Sequence, residues 1–176
     1  MKFEPTDLPG VIHVLAEPHS DKRGVFARLY CPEEFAEAGI EFSPTQVNLS
    51  RNISIHTLRG MHWQDAPFGE SKLVRCTRGR MWDVVADIRP ESPTRGQWIA
   101  VELDADKANA LFIPEGCAHG FLTLEPATEI IYHMGRMYEP GKAKGFRYDD
   151  PAFAITWPHP PTVIGDADTK WPPLEL

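Results

Sequence analysis

Three residue types able to share one reaction stand together between Thr57 and Arg89, in the stretch TLRGMHWQDAPFGESKLVRCTRGRMWDVVADIR. They are a histidine (His62), a lysine (Lys72) and an arginine (Arg59). An imidazole titrates near working pH, at about 6.5 in model peptides, and serves as a general base. An ammonium stabilises negative charge that grows on an oxygen during reaction. A guanidinium grips phosphate or carboxylate. Together they suit proton abstraction beside a carbonyl on an anionic substrate. Singly, each has a plainer reading, which is favoured: His62 as a core histidine satisfied by a backbone carbonyl, Lys72 as a solvated lysine. Tyr132 and Tyr138 alone are packing residues, and Arg23 alone belongs to a polar turn.

Strands must position this set. Met81 to Ile88 alternates Trp82, Val84, Ala86 and Ile88 with Met81, Asp83, Val85 and Asp87, the period of a pleated strand. Gly79 predicts a tight turn pairing Leu73–Thr77 with that strand as a hairpin. Val11–Leu15, Val25–Tyr30 and Trp98–Leu103 read as further strands, and Asn109–Pro114 as a short apolar run. Phe121–Leu124 and Glu129–Met134 predict a second hairpin around Pro126. Gln46, Asn48 and Ser50 share one strand face, which is more often exposed than turned into a ligand-holding barrel. Pro32 to Gly39 predicts one short helix, with proline at its start, two glutamates in its first turn and glycine at its end. About ten strands and one helix point to an all-β sandwich or barrel. The tail from Trp157 reads as an irregular packed extension.

The whole chain bounds these readings. Its 176 residues suit a single domain, 1–176, large enough to bury most of its apolar surface. Seventeen prolines and thirteen glycines, scattered, agree with many short strands and turns. A net charge of −7 argues against non-specific nucleic-acid binding, so an anionic ligand needs a local basic pocket. No apolar run is long enough to span a bilayer and the first residues show no signal-peptide core, so a cytoplasmic location is expected. Cys31, Cys76 and Cys117 suggest neither a disulfide framework nor a zinc knuckle, and Cys76 is expected as a small buried residue.

Pro114-Glu115-Gly116-Cys117-Ala118-His119 fits P-x-G-x-x-H, a half-motif of the cupin barrels. The companion metal motif is not met, since His62-Trp63-Gln64 offers one histidine where two would stand. The chain is expected to use no metal. More widely, it resembles the dTDP-4-dehydrorhamnose 3,5-epimerases. The residues carrying the resemblance are Asp21-x-Arg23-Gly24-x-Phe26, Gln46-x-Asn48-x-Ser50-Arg51, Leu58-Arg59-Gly60-Met61-His62-x-Gln64, Lys72-Leu73-Val74-Arg75-Cys76 and Ile113 to Phe121. Tyr132, Tyr138, Asp149-Asp150-Pro151 and Asp168 extend it over nearly the whole chain.

The resemblance implies a cupin-like jelly-roll β-barrel, with a short N-terminal helix and an irregular C-terminal extension. It also implies a homodimer, a nucleotide-sugar substrate and no cofactor. It makes His62 the general base, Asp168 the carboxylate orienting it, Lys72 the group stabilising the enolate oxygen and Tyr132 the acid on the opposite face. Arg23 and Arg59 become diphosphate contacts and His119 lines the sugar pocket, while Phe26, Gln46, Asn48 and Tyr138 contact substrate. In the family a glutamate that accepts from thymine stands where this chain has Arg28. A guanidinium only donates, which makes a CDP- or GDP-linked sugar an alternative to dTDP. Further alternatives are epimerisation at C3 alone, a non-catalytic sugar-nucleotide-binding barrel and a metal-dependent cupin oxygenase.

Overall fold

The computed structural model describes residues 1–175. In chain order the first elements are β1 (Lys2–Pro5), β2 (Ile12–Leu15), β3 (His19–Asp21), β4 (Gly24–Phe26) and α1 (Pro32–Glu37). There follow β5 (Gln46–Asn52), β6 (Thr57–Gln64), β7 (Lys72–Arg78), β8 (Arg80–Asp87) and β9 (Trp98–Asp104). The last are β10 (Ala110–Ile113), β11 (Cys117–Thr123), β12 (Thr128–Met134), β13 (Ala143–Gly145) and β14 (Val163–Ile164). The expected all-β barrel with one short helix is what forms. No described helix is long and apolar enough to cross a membrane.

One sheet runs β1-β2-β10-β7-β12-β5, and a second runs β13-β6-β11-β8-β9 with β14 added to β6. Every pairing is antiparallel except β14 with β6. Between the sheets lie Val74, Cys76, Leu111, Ile113 and Ile130 from the first and Met81, Val85, Leu103, Cys117 and Phe121 from the second. Fully burying a side chain such as Phe121 or Ile113 stabilises the fold by about 1.5–3 kcal/mol. Cys76 is part of this core as expected, and burial pushes its thiol up to about 12.

Both outer faces are also covered, though unequally. Helix α1 seats Phe35 on the first sheet amid Phe3, Tyr30, Phe42 and Phe112. The C-terminal extension lays Phe146, Phe153 and Ile155 over Met61, Val84, Ala86 and Ala118 of the second. That is why the Trp82–Ala86 face of β8 is apolar as well as the Met81–Val85 face. The edge strand β5 leaves Val47 and Leu49 exposed, and the β3–β4 ribbon leaves Val25 and Phe26 exposed.

Both expected hairpins are corrected. β7 pairs with β10 and β12, whereas β8 pairs with β11 and β9, so the turn at Gly79 carries the chain from one sheet to the other. Likewise β11 lies in the second sheet and β12 in the first, with Pro126 at the crossing. A glycine turn between two strands sets only a local reversal. Which sheet receives the second strand is decided by its whole face, because strands at barrel corners switch sheets. The predicted Val25–Tyr30 strand is also shorter, with only β4 forming.

Strand β6 carries the irregularity that matters most for chemistry. Its register with β11 pairs His62 with His119 and Arg59 with Phe121, three steps on β6 against two on β11. One residue is therefore extra on β6, a bulge, and Gly60 there has φ +121. In a regular strand Arg59 and His62 would point to opposite faces. The bulge turns both inward. A Cβ at Gly60 would stand 2.4 Å from Gly120 Cα, so a glycine is required for the strands to approach this closely.

Candidate active site

Between the sheets opens a cavity of about 450 Å³. The second sheet lines it with Arg59 and His62 from β6 and His119 and Phe121 from β11, and the first with Asn48, Lys72, Tyr132 and Met134. The extension contributes Gly165, Ala167 and Asp168, and the β6–β7 connection contributes Glu70. His62 and Lys72 face the cavity from different sheets. A cleft of similar volume, about 440 Å³, lies near Trp63, Arg89 and Glu115. Its buried-side guanidinium is already committed, since Arg89 donates twice to Asp87.

His62 Nε2 lies 2.6 Å from Asp168 Oδ1. A carboxylate only accepts, so in the neutral imidazole Nε2 carries the proton and Nδ1 holds the lone pair. Asp168 is fixed further by the Gly60 N–H at 3.2 Å to Oδ2 and the Trp171 indole N–H at 3.4 Å to Oδ1. Burial alone would raise the Asp168 pKa. The hydrogen bond and charge of His62, with the two N–H donors, outweigh it and hold the carboxyl below its usual range.

Tyr132 stands on β12, in the sheet opposite His62. Burial pushes its phenol well above the usual value and the charge of Asp83 adds to this, while Arg59 and the Ser50 hydroxyl act the other way. It is therefore an O–H donor throughout the working range. Lys72 Nζ donates to Glu70 Oε1 at 3.2 Å, and both side chains are largely shielded from solvent. Deeper still, His119 Nε2 is 2.6 Å from Asp83 Oδ1, with its ring edge-on to Tyr132 at 6.2 Å.

The expected substrate contacts divide into two groups. Arg59, Asn48 and His119 line the cavity, and Arg59 Nε is braced by Asn52 Oδ1 at 3.0 Å. Gln46 links the rim to it, donating to Asn48 Oδ1 at 2.9 Å and accepting from the Tyr138 backbone at 3.3 Å. Tyr138 itself is exposed beside this rim. Arg23, Phe26 and Arg28 lie elsewhere. Arg23 pairs with Asp21 on the ribbon, Phe26 is exposed beside it, and Arg28 pairs with Glu34 at 2.6 Å. Glu70, Asp83 and Trp171 were not foreseen in the site. Asp83 had the only signal, an acid in the middle of an apolar strand. Among the described residues no group of three His, Cys, Asp or Glu side chains is arranged to hold a metal ion.

The family profile described as dTDP-4-dehydrorhamnose 3,5-epimerase matches residues 5–175. This chain belongs to that family. A relative of the same name from Sinorhizobium fredii is 37% identical over 175 residues, covering 99% of this chain and 90% of the relative. A dTDP-4-dehydrorhamnose 3-epimerase from Streptomyces niveus is 36% identical, covering 96% of this chain and 81% of its own. The crystal structure of the 3,5-epimerase from Bacillus anthracis, with TDP and PPi bound, superposes with a TM-score of 0.95 at 32% identity, covering 98% of this chain and 99% of that one. The fold is the cupin-like barrel of the dTDP-4-dehydrorhamnose 3,5-epimerase family.

Proposed function

We propose that the protein epimerises C3 and C5 of a nucleotide-linked 4-keto-6-deoxyhexose, as its dTDP-4-dehydrorhamnose 3,5-epimerase relatives are named for doing. The observation carrying this reading is the placement of His62 and Tyr132 on opposite sheets of one cavity, with Lys72 lining the same space. In such a sugar the C4 carbonyl acidifies the hydrogens on both neighbours. His62 Nδ1 removes the C3 proton, and the bonding pair moves into the C3–C4 bond as charge passes to O4. Lys72 stabilises that oxygen more in the transition state than in the ground state. Tyr132 then returns a proton to C3 from the far side and the pair collapses back, inverting the centre. The phenolate and imidazolium are reset by proton exchange, and the same steps serve C5. The reaction is redox-neutral and moves only protons.

The test is solvent exchange. Wild-type protein incubated with dTDP-4-keto-6-deoxyglucose in deuterium oxide is expected to incorporate deuterium at C3 and C5, and His62→Ala to do so about 10²–10⁴-fold more slowly at both. Exchange at near wild-type rate in the variant overturns the reading. The Streptomyces niveus relative favours a second reading, in which C3 alone is inverted. Deuterium confined to C3 in wild-type product would select it.

A homodimer completes the binding surface in this reading. Val25 and Phe26 on the ribbon and Val47 and Leu49 on β5 are exposed apolar residues that a second copy would cover. The same contact would bring Arg23 and Phe26, remote from their own cavity, to the mouth of the partner's. Sedimentation showing a monomer with full activity at micromolar concentration would remove this part of the proposal.

A further inference from the structure

We propose that Trp171 is a positioning residue for the His62–Asp168 pair, holding the carboxylate through its indole N–H and through the seat of its ring against Gly145. The inference rests on the reading of His62 as the base. A carboxylate rotates easily about its last torsion, so one hydrogen bond to His62 leaves its plane poorly defined. Here each Asp168 oxygen has a fixed donor besides His62. The Gly60 N–H holds Oδ2 at 3.2 Å, and the Trp171 N–H reaches Oδ1, the same oxygen that takes His62 at 2.6 Å.

The indole also touches the other half of the pair. Its ring stands edge-on to the His62 imidazole, with centroids 6.1 Å apart and planes at 66°. Its seat is made by a glycine in direct register with the histidine, since Gly145 on β13 pairs with His62 on β6. A Cβ on Gly145 would lie 2.5 Å from Trp171 Cε2 and 2.6 Å from Nε1, distances no real side chain adopts. The indole thus fills a slot that only glycine leaves open.

The backbone around Trp171 is pinned on both sides. Before it, Asp168 N donates to Gly165 O at 2.9 Å and Lys170 N to Ala167 O at 3.1 Å. After it, Leu174 N donates to Asp150 Oδ2 at 2.9 Å. The side chain acts from a fixed base; it is not itself among the residues lining the cavity and, in this reading, does not touch the substrate. Groups that hold a catalytic partner in place act on rate more than on binding, and displacement of a reacting group by about 1 Å costs on the order of a hundredfold.

Three variants separate the contributions. Trp171→Phe keeps most of the ring and loses the N–H; Trp171→Ala loses both; Gly145→Ala expels the indole without altering the tail's sequence. Each is measured for kcat, KM and the downfield proton resonance of His62 Nε2–H, assigned by its disappearance in His62→Gln. Trp171→Ala and Gly145→Ala are expected to lower kcat about tenfold to a hundredfold with KM within about twofold, and to broaden or shift the resonance. Trp171→Phe is expected to recover most of kcat while still shifting the resonance. Wild-type kcat and an unmoved resonance in all three would overturn the proposal. So would a loss of kcat matched by the loss of folded protein with the resonance unchanged, which marks a packing role only. If the wild type fails to exchange deuterium into the keto sugar, the proposed reaction falls, while the resonance in Trp171→Ala and Gly145→Ala still decides whether Trp171 positions the pair.

Discussion

Two histidine–aspartate pairs face the same cavity at the same separation, 2.6 Å, and they are not equivalent. In one, the His62 side chain is 42% exposed and its carboxylate 9%; in the other, His119 is 6% exposed and Asp83 not at all. Asp168 has three donors around its two oxygens, whereas Asp83 leaves Oδ2 buried and without a partner. Hydrogen-bond length therefore says nothing about role. Access decides which imidazole can trade a proton with a ligand, and burial decides which pair the fold depends on. The open pair joins a strand to the C-terminal extension, and the sealed pair joins two adjacent strands.

The sharpest way to break the comparison is to delete each histidine. His62→Ala should lower deuterium exchange into a 4-keto sugar by about 10²–10⁴-fold, the range of a lost general base. Its thermal midpoint should change little, because Asp168 keeps two N–H donors. His119→Ala should do the reverse in stability, costing about 3–5 kcal/mol in denaturant titration because it strands a buried carboxylate. Adding Asp83→Asn in that background should recover part of the loss. Stability falling equally in both single variants would erase the distinction.

Tyr132→Phe sharpens the difference between the two walls of the cavity. Exchange at C3 should persist within a few-fold, while inversion falls about 10²-fold for want of the opposing acid. Equal loss of both, with binding intact, would remove Tyr132 from that role. The smallest effect is expected outside both pairs, at Arg28. If that guanidinium reads the base, CDP or GDP should bind at least as well as dTDP, and Arg28→Glu should shift preference towards dTDP by about tenfold to a hundredfold. Calorimetric titration of four nucleoside diphosphates checks it. The Glu34 ion pair supplies the contrary outcome, an Arg28 that is occupied within its own chain and leaves base preference untouched.

Much of the site could be read from residue types in their order, and the reasons for the gaps are local. His62, Lys72, Tyr132 and Asp168 were singled out by the family resemblance, and β8 by its period of two. That Arg59 and His62 share a side could not be read from alternation, because it needs the extra residue at Gly60. The His119 partner was hidden for a related cause. Asp83 was visible on an alternating strand, yet its match depends on how β8 registers against β11, a contact 36 residues away in sequence. Gly79 and Pro126 looked like hairpin turns because turn chemistry is the same whether the chain returns to its own sheet or crosses to the other. Trp171 sat in a tail with no periodicity to place it.

The separation of 106 residues between His62 and Asp168 sets an order of events during synthesis. A nascent chain can pair β1 to β12 around His62 before its carboxylate has left the ribosome. The pairing of His62 with Asp168 is then the last contact acquired, arriving when the segment from Gly165 to Leu174 docks on Gly60, Gly145 and Asp150. A protease cut just ahead of Asp168 would strip the histidine of its carboxylate while sparing the strands that hold it.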